Sequence, residues 1–163
     1  MTTWKTKHPI LVGIGIAILG TLLTAVGSAV GQVMQLDDAT VIYVLVGFIS
    51  LSALLGVLWM KVSKHSLAEY GFRTPVGWAV GLPLFILPVL NLVEGVHIGA
   101  SLVVPYLLFT LTVAFNEEIW FRGLLLAALR IRGEKFAIVV SGVLFGVLHL
   151  SNAFSGRSTS SCK

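Results

Sequence analysis

The sequence predicts an all-α fold: a polytopic membrane bundle of about five transmembrane helices with its N-terminus in the cytoplasm. Three observations carry that prediction. Of 163 residues, 56% are hydrophobic and only 11% are charged, with a mean hydropathy of +0.97, whereas soluble domains carry about 25% charged residues. Asp, Glu, Lys and Arg are missing from five stretches of 29, 22, 20, 22 and 21 residues, each long enough for the roughly 20 apolar residues of a spanning helix. The basic residues, finally, are sorted by connection. A soluble enzyme domain is excluded. The net charge of +4 reflects membrane topology, and no nucleic-acid partner is expected.

The first span, 10–35, follows WKTKHP. Its apolar run exceeds the roughly 7–15 residues of a signal-peptide core, so it reads as a retained helix. Asp37 and Asp38 mark the turn into a second span, 40–61. Residues 64–74, KHSLAEYGFRT, are amphipathic and are expected as a short helix resting on the interface. The third span, 76–93, holds Pro83 and Pro88, which spanning helices tolerate. Glu94 and His97 stand three apart in the following connection, a spacing that suits a metal, and read there as solvated groups. The fourth span, 101–130, turns through RIRGEK into the fifth, 136–154.

Lys5 and Lys7, then Lys61, Lys64 and Arg73, then Arg130, Arg132 and Lys135 occupy alternate ends, while the connections around Asp37 and Glu94 carry no basic residue. The positive-inside rule places the basic ends in the cytoplasm, with Trp4, Trp59, Tyr70 and Trp78 near that interface. Arg157 and Lys163, in the polar tail 156–163, break the alternation. Residues 1–163 read as a single transmembrane domain, and the lone Cys162 allows no internal disulfide. Gly27/Gly31, Gly77/Gly81, Gly95/Gly99 and Gly142/Gly146 are candidate places for close helix packing.

Residues 114–124, AFNEEIWFRGL, put three ionisable groups inside an apolar span. Each costs on the order of 2.5–3.5 kcal/mol at bilayer centre, so such a cluster is paired, watered or both, and is a functional site by default. Glu118 and Arg122, four apart with the acid first, form the favourable helical pair. Glu117 lies about 100° round the helix and is left to face elsewhere. If spans four and five form an antiparallel hairpin about Gly133, Glu117 sits 16 residues before it and His149 16 residues after it, at the same depth. Ser141, Phe145, His149 and Asn152 share one stripe of the fifth span, and Gly142 and Gly146 share a neighbouring one. A carboxylate and an imidazole together in a polar pocket can activate water: the first accepts a proton, and the second binds a metal or hydrogen-bonds an oxyanion. Trp120 and Phe121 read as packing residues.

Glu117-Glu118-x-x-x-Arg122 followed by Phe145-x-x-x-His149 resembles the first two motifs of the CPBP intramembrane proteases. That family includes CAAX prenyl endopeptidases and bacterial Abi-type, bacteriocin-processing or immunity proteins. The resemblance implies an intramembrane endopeptidase in a prokaryotic cell membrane, acting within membrane lipid on a peptide or protein substrate, prenylated in the CAAX case. It implies Glu117 as general base, His149 as ligand or oxyanion partner, and Glu118 and Arg122 in support. It leaves open a metal-free mechanism or a divalent metal such as zinc, held by His149 and Glu117. The family's later His motif, with Asn or Asp four residues on, has no counterpart after His149. The expectation is therefore a C-terminally truncated member, for which the family's activity is better supported than activity of this polypeptide alone. The alternative is a non-enzymatic immunity or partner-binding protein on the same scaffold.

Overall fold

The computed structural model describes residues 7–63, 66–73 and 99–155, the last five for their backbone alone, and among these every regular element is a helix. Helices α1 (Pro9–Val33) and α2 (Asp38–Val62) have 25 residues each. A 33-residue rod, Ala100–Arg132, comprises α3 (Ala100–Glu117), a π-helical segment (Glu118–Leu125), α4 (Leu126–Leu129) and a 3-10 turn (Arg130–Arg132). Both helices and the rod are long and apolar enough to cross a membrane. Helix α5 (Glu134–Ser155) has 22 residues, about 33 Å at 1.5 Å per residue, against a hydrocarbon core of about 30 Å. Four of the expected spans are thus present to within two residues at each end. The span 76–93, the Glu94/His97 pair, Trp4, Trp78, Cys162, the tail 156–163 and the side chain of Asn152 lie outside the described residues.

Local chemistry sets the boundaries. Pro9 stands at the first position of α1, where its missing N–H would have no helical partner anyway. Asp37 caps α2 by accepting the Thr40 backbone N–H at 3.1 Å and the Thr40 hydroxyl, as N-cap carboxylates do. Those bonds, the hydroxyl's above all, hold Asp37 below the usual carboxylate range because they favour its charged form. Gly133, at φ 102°, lets the chain leave the 3-10 turn and enter α5. Glu134 then sits in the first turn of α5, where the helix dipole favours an anion.

Residues 66–73 differ from expectation: they form turns rather than an interfacial helix. Gly71, at φ 94°, reverses the chain, with the Phe72 N–H bonded to the Leu67 carbonyl and the Gly71 N–H to the Ala68 carbonyl. This is the Schellman closure that ends helices, and here it arrives after a single turn. Tyr70 is drawn into the core instead.

The core lies where α1 and α2 meet the π-helical segment. Ile16 and Ala17 of α1 and Ala53 and Met60 of α2 surround Ile119, Trp120, Phe121, Leu124 and Leu125. The close approach depends on glycine: a Cβ on Gly20 would lie 2.8 Å from Trp120 Cγ, and one on Gly56 2.5 Å from Ile119 Cγ2. Gly27 and Gly31 pack against Phe48 and Val41, as their pairing suggests. Among the described residues Gly142 and Gly146 make no close helix contact, since a Cβ on either would meet none of these residues within 4 Å. Helix α5 approaches the core through Val140, Leu144 and Leu148, which leaves its glycines to one side.

A small polar network crosses this core. The Gly20 carbonyl accepts from Ser52 Oγ at 3.3 Å and from Asn116 Nδ2 at 3.4 Å, and Trp120 Nε1–H donates to the Ser52 carbonyl at 3.2 Å. Asn116 and Ser52 are both buried, and in lipid each polar atom without a partner is costly.

Candidate active site

Glu117 ends α3 and Glu118 opens the π-helical segment. Of residues 118–125, only Glu118, Arg122 and no others are exposed, because the apolar side chains between them fill the core. The two charged groups form an outward stripe, with Arg122 Nη1 3.3 Å from Glu118 Oε2. Glu117 turns the other way, towards α5, and its Oε1 lies 3.4 Å from His149 Nε2. The hairpin therefore brings together the acid and imidazole that share a depth in the sequence.

His149 is held on its own helix from two sides. Its Nδ1 lies 3.1 Å from the Phe145 carbonyl, a bond that forms only when Nδ1 carries the proton. Its ring sits 4.1 Å from that of Phe145, which in turn meets Phe121 edge-on at 5.1 Å. A row of three rings thus joins the core to the imidazole. With Nδ1 protonated, a neutral His149 would aim the Nε2 lone pair at a carboxylate oxygen. The contact is attractive only when one further proton lies between Nε2 and Oε1, on either atom.

The side chain of Glu117 is 32% exposed and that of His149 51%, and neither belongs to the lining of the two cavities at the basic end of the bundle. Among the described residues the pair lies where the end of α3 meets α5 across their contact. Ser141, on the same stripe of α5, gives its hydroxyl to the Ile138 carbonyl at 3.2 Å and does not join the pair.

Residues 99–160 match the family model of type II CAAX prenyl endopeptidase Rce1-like proteins. This Rce1-like stretch resembles that family in sequence. Neither a curated protein nor a solved structure matches the chain. The Rce1-like stretch contains both motifs and all four candidate residues, and leaves α1 and α2 outside it. The matched model describes CAAX prenyl endopeptidases, and the two helices and the rod, each long and apolar enough to cross a membrane, are in keeping with a multi-pass membrane protein.

Among the described residues no three His, Cys, Asp or Glu side chains gather as a metal site. Glu117 and His149 are two donors where a catalytic zinc takes three protein ligands. The described residues of the Rce1-like stretch do not by themselves make up a zinc set. Two features of the site escape the sequence reading. Asn116 directly precedes the glutamates, and its intramembrane amide was signal enough to single it out. The π-helical segment, a form often found at functional sites, leaves no mark in residue periodicity.

Proposed function

We propose that this protein is an intramembrane endopeptidase in which Glu117 is the general base and His149 the oxyanion partner. The supporting observation is the 3.4 Å approach of Glu117 Oε1 to His149 Nε2. With the shared proton on His149, Glu117 is a carboxylate and Nε2–H is a donor. Glu117 then takes a proton from water, the resulting hydroxide attacks the scissile carbonyl carbon, and Nε2–H donates to the oxyanion as charge develops on it. Collapse of the tetrahedral intermediate breaks the C–N bond while the protonated Glu117 delivers its proton to the leaving nitrogen. The products are a carboxylic acid and an amine. Catalytic hydrogen bonds are commonly long before substrate arrives, which fits a 3.4 Å contact. Glu118 and Arg122 support the reaction by holding a compensated charge beside the base.

The substrate in this reading is a peptide or protein segment carrying a prenylated cysteine, reached from the lipid of a prokaryotic cell membrane. The test is cleavage of a prenylated reporter peptide in proteoliposomes by the wild type, Glu117→Ala and His149→Ala. Loss of a general base costs about 10²–10⁴ in rate, and loss of one oxyanion donor about 10²–10³. Wild-type rates in both variants overturn the assignment.

A further inference from the structure

We propose that the basic end of the bundle holds one phospholipid with a primary-amine head group, its acyl chain lying between α1 and α4. The inference does not rest on the protease reading, and the residues that carry it are remote from the Glu117–His149 contact. Lys7, Lys61, Arg130, Arg132 and Lys135 stand at or beside helix ends, and Arg73, Arg130 and Glu134 line one cavity there. Arg130 Nη1 donates to the Glu69 carbonyl at 3.2 Å and Arg132 Nη2 to the Lys7 carbonyl at 3.3 Å, which ties the ends of the helices together. Basic pockets between helix ends are where phospholipid head groups bind.

Two adjoining cavities share the Arg130 side chain. One, of about 850 Å³, is an apolar groove between a stripe of α1 containing Leu11, Ile16 and Leu19 and the facing residues Leu124, Ala128 and Ile131. The stripe spans eight residues, about 12 Å along the helix, and runs from the basic end into the depth of the bundle. Gly15 lines the groove and faces open space, where a Cβ meets none of the described residues within 4 Å. The other cavity, of about 510 Å³, is polar and lined by Arg73, Arg130 and Glu134.

That polar lining specifies the head group. Each guanidinium has five N–H donors. Arg73 uses its Nε on the Ala68 carbonyl at 3.0 Å and Arg130 uses Nη1 on Glu69, so both are anchored with further donors to offer a phosphate. A phosphate alone would leave the Glu134 carboxylate facing an anion. An ethanolamine ammonium answers it with charge and N–H donors together. A glycerol head group brings no cation, and a choline brings a cation without N–H. The Glu69 carboxylate, which also lines the groove, accepts from Ser66 N and Oγ at 3.0 and 2.9 Å and faces its own turn.

The experiment is native mass spectrometry of the detergent-purified full chain with an equimolar mixture of phosphatidylethanolamine, phosphatidylcholine and phosphatidylglycerol of matched chains. Retention of one phosphatidylethanolamine per chain, at least fivefold over either competitor, is expected. Glu134→Gln should reduce that preference to below twofold while total lipid retained stays similar. Gly15→Leu, whose side chain enters open space, should cut retention of every lipid at least fivefold with an unchanged unfolding temperature. Equal retention of the three lipids by the wild type overturns the proposal. Undiminished preference in Glu134→Gln, or undiminished retention by a folded Gly15→Leu, does so as well.

Discussion

Gly20→Ala is the sharpest test of how the site is held. The new Cβ would stand 2.8 Å from Trp120 Cγ and 2.9 Å from Trp120 Cβ, where carbon atoms settle at about 3.5–4.0 Å. Relief requires roughly 0.6–1 Å of movement, and since Trp120 Cβ is fixed to the backbone, the π-helical segment itself must shift. Overpacking of this kind costs about 1–3 kcal/mol. Movement also loosens the Trp120–Ser52 and Asn116–Gly20 bonds, already 3.2 and 3.4 Å long, each worth about 0.5–1.5 kcal/mol net. Alanine returns up to about 1 kcal/mol of helix propensity. The net expectation is a loss of about 2 kcal/mol, roughly a thirtyfold shift in the folding equilibrium. Gly142→Ala is the matched control, because its Cβ meets none of the described residues within 4 Å and only the propensity gain remains. Equilibrium unfolding in mixed micelles, followed by far-ultraviolet circular dichroism, compares them. If Gly20→Ala unfolds no earlier than Gly142→Ala, the packing account of the segment is wrong.

Further outcomes follow from the same geometry. Glu118→Ala strands the Arg122 guanidinium, so it should insert or fold less well than the Glu118→Ala/Arg122→Ala double variant, by up to about 2.5–3.5 kcal/mol; equal insertion efficiencies in a membrane-integration assay would argue against a lipid-facing pair. Phe145→Ala removes the ring 4.1 Å from His149 and should lower kcat for the prenylated reporter about tenfold with little change in KM, since orientation of the imidazole is lost but its chemistry is not; Phe145→Tyr should restore the rate. The Thr40 amide resonance should titrate with Asp37 at a midpoint below the usual carboxylate range. Because the native value is depressed, the cap's contribution is present above the ordinary value and is lost only as pH falls through the lowered one. Asp37→Asn, which keeps an N-cap acceptor, should abolish that titration while α2 remains capped.

Much of this fold is legible in the chain because lipid imposes a simple code. Length and absence of charge locate α1, α2, the rod and α5, and the short basic turn around Gly133 makes the last two a hairpin. The meeting of Glu117 and His149 was readable as equal spacing from Gly133, and required only that the facing sides agree. Contacts that depend on three elements were not readable. Gly20 and Gly56 have no partner glycine four residues away, and their importance lies in Trp120 and Ile119, which are distant in sequence. Gly142 and Gly146 show the converse, a regular pair without a close contact among the described residues because bulkier neighbours make it. The turn at 66–73 carried an amphipathic pattern, yet one glycine at positive φ outweighed it.

The division of the π-helical segment into a packed side and a charged side explains how a partly exposed site can still be precise. On the inner side, Ile119, Trp120 and Leu125 are fixed by glycine contacts with α1 and α2 and by the Ser52–Asn116 network. On the outer side, Glu118 and Arg122 answer one another, and Glu117 at the segment's edge meets an imidazole whose ring is braced back to the same core through Phe145 and Phe121. Position is thus set by residues packed in the core, and charge by residues that contribute little to packing. Stability and the proposed activity should separate on mutation: Gly20→Ala moves the unfolding transition, and Glu117→Ala leaves it in place while abolishing cleavage of the prenylated reporter. Were Glu117→Ala to unfold as readily as Gly20→Ala, the acid would be a structural member of the bundle, and its pairing with His149 would be packing rather than chemistry.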